Sequence, residues 1–418
     1  MERRTRQAGM ALVLAALFLV AVLVSLAALG RNGLATSAQR DRITERALAQ
    51  AREALIAYAA ERPIDAAVGP GYLPCPDADD DGWAESTCGS LSGHLGQAER
   101  LGRLPWKTLG LPDLRDGSGE RLWYAVSTRH KGLLNCAASR ECRDMSPAAA
   151  LGTITVRAAD GRPVHDGTIA DPRRAAAGGA AAIVIAPGDA LVRADGHAQS
   201  RACGPGECDA AGRCLTDPPR RVARCDPLNY LDLATPRAGG EDNAYFTDRT
   251  DVRSANVDGF IQGPVADPVG GIVVNDRVVA VGFADLMPRV LARVAHELAN
   301  CLRAASAEPD AACAAGERLG HVPDDALGAT TCNARAVDPS WWSAWRPYVL
   351  YAPAAPGGLE VADESGRRLA GGRRFAVVAS SGANECLESR HACGPDGCTR
   401  VVLAPRSRDR HEALVTSP

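Results

Sequence analysis

The chain is 418 residues long, 46% hydrophobic and 23% charged, with a formal net charge of −3. That composition builds a large buried core and excludes a linker, a coiled coil or a mini-protein, and its charge offers no basic surface to nucleic acid. The 42 glycines and 27 prolines favour a loop-rich body over a helical bundle, and the 14 cysteines all follow residue 70, as in a body exported to an oxidising space.

From Met10 to Leu29 there is no charged residue, and at about 1.5 Å per residue such a helix crosses roughly 30 Å of hydrocarbon. Arg3, Arg4 and Arg6 precede it, which orients residues 1–9 to the cytoplasm and the body beyond the membrane. The competing reading is a cleaved secretory signal with the small residues Ser25 and Ala27 at its end. Helical spacing continues through Leu34, Ala38, Ala47, Leu48, Ala51, Ala54, Leu55 and Tyr58, with no proline before Pro63. The pattern predicts one helix over 10–62, membrane-spanning over 10–29 and amphipathic beyond.

The run Arg6-Gln7-Ala8-Gly9-Met10-Ala11-Leu12 ahead of such a helix resembles the leader of type IV prepilins and pseudopilins. The resemblance implies that a prepilin peptidase cuts between Gly9 and Met10, that the new N-terminus is methylated, and that mature helices stack in a filament core. Two positions depart from the pattern. Met10 stands where Phe is usual, and Leu14 stands at the fifth mature position, where the family has a Glu that pairs with a neighbour's N-terminal amine. A subunit lacking that Glu is similar to the minor, tip-type members. The family implies an inner-membrane, single-pass protein with its head in the periplasm or at the cell surface. Its partners would be other pilin or pseudopilin subunits, met through the N-terminal helix. The fold class so expected is α+β: a long N-terminal transmembrane and amphipathic helix, then a disulfide-rich pilin-like head over 63–418 with an antiparallel sheet and large loop insertions.

Pro63, Gly69-Pro70-Gly71 and Pro74 break the helical pattern. Asp77, Asp79 and Asp81, followed by Gly82, reproduce the start of a calcium loop, in which alternate oxygens turn inward and Gly permits the sharp bend. Glu85 falls at the ninth position, but the twelfth is Cys88 instead of a bidentate Glu, and neither flank reads as an EF-hand helix. Cys75 and Cys88 bracket the loop and are candidates to close it. The alternatives are a calcium site and a solvated acidic turn.

Further on, Asp116-Gly117-Ser118-Gly119 supplies a turn into a strand at Leu122–Val126, and this run resembles the entry into the first head strand of pseudopilins. Strands are also predicted at Gly152–Arg157, Ala181–Ala186, Gly271–Val274, Val278–Gly282, Phe375–Ala379 and Val401–Ala404. An amphipathic helix is predicted over Ala284–Ala305, with Leu286, Val290, Leu291, Val294, Leu298 and Leu302 on one face. Its His296-Glu297 pair lacks the second His of a zinc-protease helix. Trp341, Trp342 and Trp345 form either core or a platform for stacking a sugar or partner.

Cys203–Cys208 and Cys393–Cys398 share spacing and turn residues, each after a short apolar run, which suggests a weak duplication around 181–208 and 375–398. Cys136 and Cys142 form a further close pair. The even total favours disulfides over a zinc site at Cys203, Cys208, Cys214 and Cys225. No nucleophile elbow, phosphate loop or dinucleotide fingerprint is present. The chain therefore reads as a non-enzymatic minor pilin or pseudopilin of a type IV pilus or type II secretion filament, placed at or near the tip. The alternatives are a single-span anchored exoplasmic binding or adhesion protein and an exported hydrolase.

Overall fold

The computed structural model describes residues 36–61, 70–86, 88, 100–131, 146–147, 150–193, 196–201, 227–231, 233, 243–244, 259–266, 272–302, 310–312, 320–321, 345–363, 365–373, 375–380, 392–394, 396–403 and 412–416. Among them are two α-helices, α1 over 36–61 and α2 over Phe283–Leu302. The remaining regular structure is almost entirely β.

The first sheet is antiparallel and runs in the order β1 (Leu101–Arg103), β2 (Trp123–Val126), β5 (Ala182–Ala186), β9 (Arg277–Val281). Successive side chains of a strand point to opposite faces, and both faces here are covered. Tyr124 and Val126 of β2 and Ala182, Val184 and Ala186 of β5 pack with Ala47, Leu48, Ala51, Leu55, Ile56 and Ala59 of α1. On the other face Trp123, Ala125, Ile183 and Ile185 join Ile154, Val156, Tyr230 and Phe260. Double burial explains why β2 and β5 read as unbroken apolar runs. Three short strands support that second face, β3 (Val156–Arg157), β4 (Pro163–His165) and β6 (Phe260–Ile261), and β7 (Val265–Ala266) pairs with β8 (Ile272–Val274) beside them.

Helix α2 begins where the Asp285 carboxylate accepts the Gly282 backbone N–H at 2.8 Å, half of a capping box. Its apolar stripe, Met287, Val290, Leu291, Val294 and Leu298, is buried with Trp345, Val349, Tyr351 and Val377. The last three belong to a second sheet in the order β10 (Asp310–Ala312), β11 (Gly320–His321), β12 (Val349–Pro353), β15 (Phe375–Ser380), β18 (Glu412–Thr416). A third sheet runs β14 (Arg368–Arg373), β13 (Leu359–Asp363), β17 (Gly397–Leu403), β16 (Ala392–Gly394), with β13 and β17 parallel. Trp345 is thus core, at 1% exposure, while Trp341 and Trp342 lie outside the described residues.

Two expectations are corrected here. The fold is mostly β in several sheets, with parallel as well as antiparallel pairing, and not a pilin-like head behind a long transmembrane and amphipathic helix. The described helix α1 carries Arg40, Asp41, Arg42, Glu45, Arg46, Arg52 and Glu53, and its narrow apolar stripe is used up against its own sheet. No helix among the described residues is long and apolar enough to cross a membrane. This overturns the expected single pass through the inner membrane with a head on its far side. Gly9, Met10 and Leu14, and the whole predicted span 10–29, lie outside the described residues.

Polar contacts fasten α1 along its length. The Arg40 guanidinium donates to Gly117 O and to Ser118 Oγ, each at 3.0 Å, Arg277 reaches Asp41 at 2.6 Å, and Arg52 reaches Asp285 at 2.5 Å. Arg289 of α2 pairs with Glu53 at 2.8 Å. The helix is therefore latched to the body at both the sheet and α2.

Candidate metal centre

The acidic loop follows Pro74 and is closed by a disulfide between Cys75 and Cys88. Both half-cystines are buried in the core under α1. Asp77 is placed by pairing with the edge of the first sheet: its N–H donates to Arg103 O at 3.0 Å, and the Arg103 N–H donates to Asp77 O at 2.7 Å. From there the chain turns tightly. The Asp77 carboxylate, only 1% exposed, accepts the Gly82 N–H at 2.7 Å and the Asp81 N–H at 3.2 Å. Asp81 in turn accepts the Trp83 N–H at 2.7 Å. Gly82 sits at φ +89° with the Trp106 indole against it, and a Cβ there would come within 2.7 Å of that ring. Only glycine fits.

The turn brings Asp77, Asp79 and Asp81 together, with one carboxylate oxygen of each within 4.8 Å of the others. Glu85 stands outside that group, and its carboxylate accepts the Ala78 N–H at 3.3 Å. Burial pushes the Asp77 carboxyl up to about 6, the Gly82 N–H opposes this, and the neighbouring Asp80 and Asp79 charges add to it. The donor set is entirely hard oxygen, which suits a cation such as calcium and not a soft metal. The residues fit a calcium loop over its first six positions. They lack the bidentate carboxylate at the twelfth, where Cys88 serves the disulfide instead.

Cationic side chains from beyond the loop brace it. Arg121 reaches Asp80 at 2.8 Å and Asp113 at 3.0 Å, and the Lys107 ammonium donates to the Asp81 carbonyl. The Arg103 guanidinium lies over the rings of both Trp123 and Tyr230, 4.3 and 4.2 Å from their centroids, and burial lowers its pKa. These partners were not anticipated from sequence, because each lies some 20 or more residues from the acidic turn it meets and is brought back by the fold. The turn at Asp116–Gly119 leading into the strand at Leu122–Val126 gives no sign that the basic residues around it return to the acidic turn.

Of the other candidate residues, Cys393 and Cys398 are bridged directly across the β16–β17 hairpin. Cys136, Cys142, Cys203 and Cys208 lie outside the described residues. His296 is exposed on α2. No family model, no curated protein and no solved structure matches the chain.

Proposed function

We propose that the chain is a non-enzymatic structural subunit of the pilin or pseudopilin kind, which works by assembling with like subunits through its N-terminal segment. The observation that supports this reading most is the seating of α1. One face of the helix is covered by a four-stranded antiparallel sheet, while its first turns, Thr36 to Arg40, and the side chains of Arg42, Ile43 and Arg46 stand exposed. A helix seated by one face on a sheet, with residues of its other face exposed, is suited to lateral contact with a second copy. The leader around Gly9 and Met10, with Leu14 in place of the pairing Glu, favours a minor, tip-type role. Removal of residues 1–9 by a prepilin peptidase tests the reading. Mass spectrometry of the protein from its native source is expected to give a chain beginning at methylated Met10, and an intact Met1 or a start near Gly30 would overturn it.

The same reading gives calcium to Asp77, Asp79 and Asp81. The ion would offset the mutual repulsion of the three carboxylates and tie the turn to the sheet edge through Asp77. Calorimetric titration with calcium is expected to show saturable heat and a rise in melting temperature, both lost in Asp79→Asn/Asp81→Asn. Absence of heat and of any shift would retire the ion and leave an acidic turn held by Arg121 and Lys107.

A further inference from the structure

Where α1, α2 and β4 meet, one carboxylate serves two elements. Asp285 Oδ1 pairs with the Arg52 guanidinium of α1 at 2.5 Å, and Asp285 Oδ2 accepts the Gly282 N–H ahead of α2 at 2.8 Å. Arg52 also donates to the Ala280 carbonyl of β9 at 3.2 Å. The contact therefore ties α1 to the edge of the first sheet and to α2 at once, and both oxygens of its anion are occupied.

A titratable ring stands at this junction. His165 ends β4, half-buried, and its Nδ1 donates to the Gly178 carbonyl at 3.3 Å. Gly282 leaves room for the ring: a Cβ there would stand 3.1 Å from His165 Cε1 and 3.7 Å from Asp285 Oδ2. Among the described residues, the charges that act on His165 come from the Asp285 carboxylate of α2 and the Arg52 guanidinium of α1. Asp166, next in the chain, is engaged by the Thr168 hydroxyl at 2.6 Å, and Glu53 of α1 is paired with Arg289 of α2 at 2.8 Å.

Neutral imidazole suits this place and imidazolium does not. A charge on the ring would sit by the first turn of α2, the positive end of the helix dipole, and near a guanidinium. Asp285 is the anion that could balance it, and Asp285 can turn to the ring only by giving up Arg52 or the Gly282 N–H. Burial lowers the imidazole pKa against the Gly178 carbonyl and Asp285, and Arg52 adds to the lowering. With the folded value below the unfolded one of about 6.5, the stability contributed is fully present above that pH and is lost as pH falls through it.

We propose that His165, Asp285 and Arg52 form an acid-sensitive latch on α1, closed while the ring is neutral and released when it gains a proton. The latch follows from how α1 is seated and is independent of what the chain assembles with. Amide hydrogen exchange of the full chain, corrected for the intrinsic rate at each pH, tests it. Opening of α1 over residues 47–59, relative to β2 and β5, is expected to rise severalfold between about pH 7.5 and about pH 5, within the limit of about tenfold per pH unit that one proton sets. His165→Asn keeps a donor for the Gly178 carbonyl but cannot take up the charge, and is expected to abolish the rise while leaving exchange at about pH 7.5 within about twofold of the parent. Asp285→Asn is expected to open α1 already at about pH 7.5. An α1 that exchanges no faster in acid overturns the latch, as does a rise that His165→Asn leaves intact or an Asp285→Asn variant that matches the parent at about pH 7.5. A rise shared equally by β2 and β5 overturns it too, because acid would then be unfolding the whole molecule.

Discussion

Two loops among the described residues are closed by disulfides, and they are built on opposite plans. Cys75–Cys88 spans a sequence separation of 13 and encloses a turn that pairs with the first sheet, bonds its own backbone through Asp77 and Asp81, and is gripped by Arg121 and Lys107. Cys393–Cys398 spans a separation of 5 and joins residues that already face each other in the β16–β17 hairpin. In the second loop the bridge repeats what the hairpin does. In the first it adds to the two hydrogen bonds that join the loop's ends, from the Glu85 N–H to Pro76 O and from the Ala78 N–H to the Glu85 carboxylate, each at 3.3 Å, and the loop it closes carries the acidic cluster. The difference shows how a disulfide can either confirm a local turn or help close a longer one.

The largest expected effect follows from loop length. Constraining the unfolded chain over the longer loop is worth about 3 kcal/mol, against about 2 kcal/mol for the shorter. Urea unfolding of Cys75→Ala/Cys88→Ala is therefore expected to show the greater loss of stability. Loss of core packing adds to both, since Cys75, Cys88 and Cys398 are 4%, 0% and 0% exposed, so loop length sets the difference. Equal losses in the two double variants would mean that the acidic turn orders itself without its bridge.

How far sequence could reach depends on whether an interaction is local. The acidic turn was legible because its three carboxylates lie within five residues, and α2 because its stripe repeats at helical spacing. Strands β2 and β5 were legible because burial on both faces leaves Trp123-Tyr124-Ala125-Val126 and Ala182-Ile183-Val184-Ile185-Ala186 without polar interruption. In the third sheet, β14 carries arginines, Gly371 and the exposed Leu369 and pairs through register shifts, so it shows no alternation to read. For α1 the helix was legible but its partner was not. An apolar stripe of Ala47, Leu48, Ala51 and Leu55 is the same signal whether a sister helix or the chain's own sheet covers it. Nor does composition separate an exposed Trp83 from a buried Trp345.

A second, smaller effect separates the loops by pH. His130 lies fully buried beside the first loop: its carbonyl accepts the Leu73 N–H at 2.8 Å, and the adjoining Lys131 ammonium donates to Cys88 O at 3.1 Å. Burial, with the Arg129 charge adding to it, lowers the imidazole pKa to about 3, so the fold holds it neutral. Its contribution is fully present above the unfolded value of about 6.5 and is lost as pH falls below that, by at most about 1.4 kcal/mol per pH unit. Asp77 acts with the opposite sign. With a folded value of about 6 against about 3.9 unfolded, the native state takes up the proton first, and stability rises as pH falls through that window. In calcium-free buffer the two slopes nearly cancel between pH 6 and pH 4. Asp77→Asn is expected to remove the offset and expose a steady decline with acid, read from urea midpoints at each pH. A variant curve as flat as that of the parent would show that His130 is not held neutral.

The smallest effect tests whether the charged grip on the first loop matters. Arg121 and Asp80 are each 27% exposed and 2.8 Å apart, and Arg121 also reaches Asp113 at 3.0 Å. Near the second loop, Arg400 and Glu360 are 42% and 41% exposed and 3.9 Å apart. Exposed pairs contribute about 0–1 kcal/mol, with the upper end reached where geometry is close and several charges share a network. Arg121→Ala is therefore expected to cost about 1 kcal/mol, and Arg400→Ala less than about 0.3 kcal/mol. Raising the salt to about 1 M shortens the screening length to about 3 Å, which should shrink the Arg121 effect and leave the Arg400 value where it was. An Arg121 loss that ignores salt would assign its role to the hydrogen bond it donates to the Asp80 carbonyl at 3.2 Å. The first loop would then be held by backbone capture and not by charge, which would make it the closer relative of the hairpin after all.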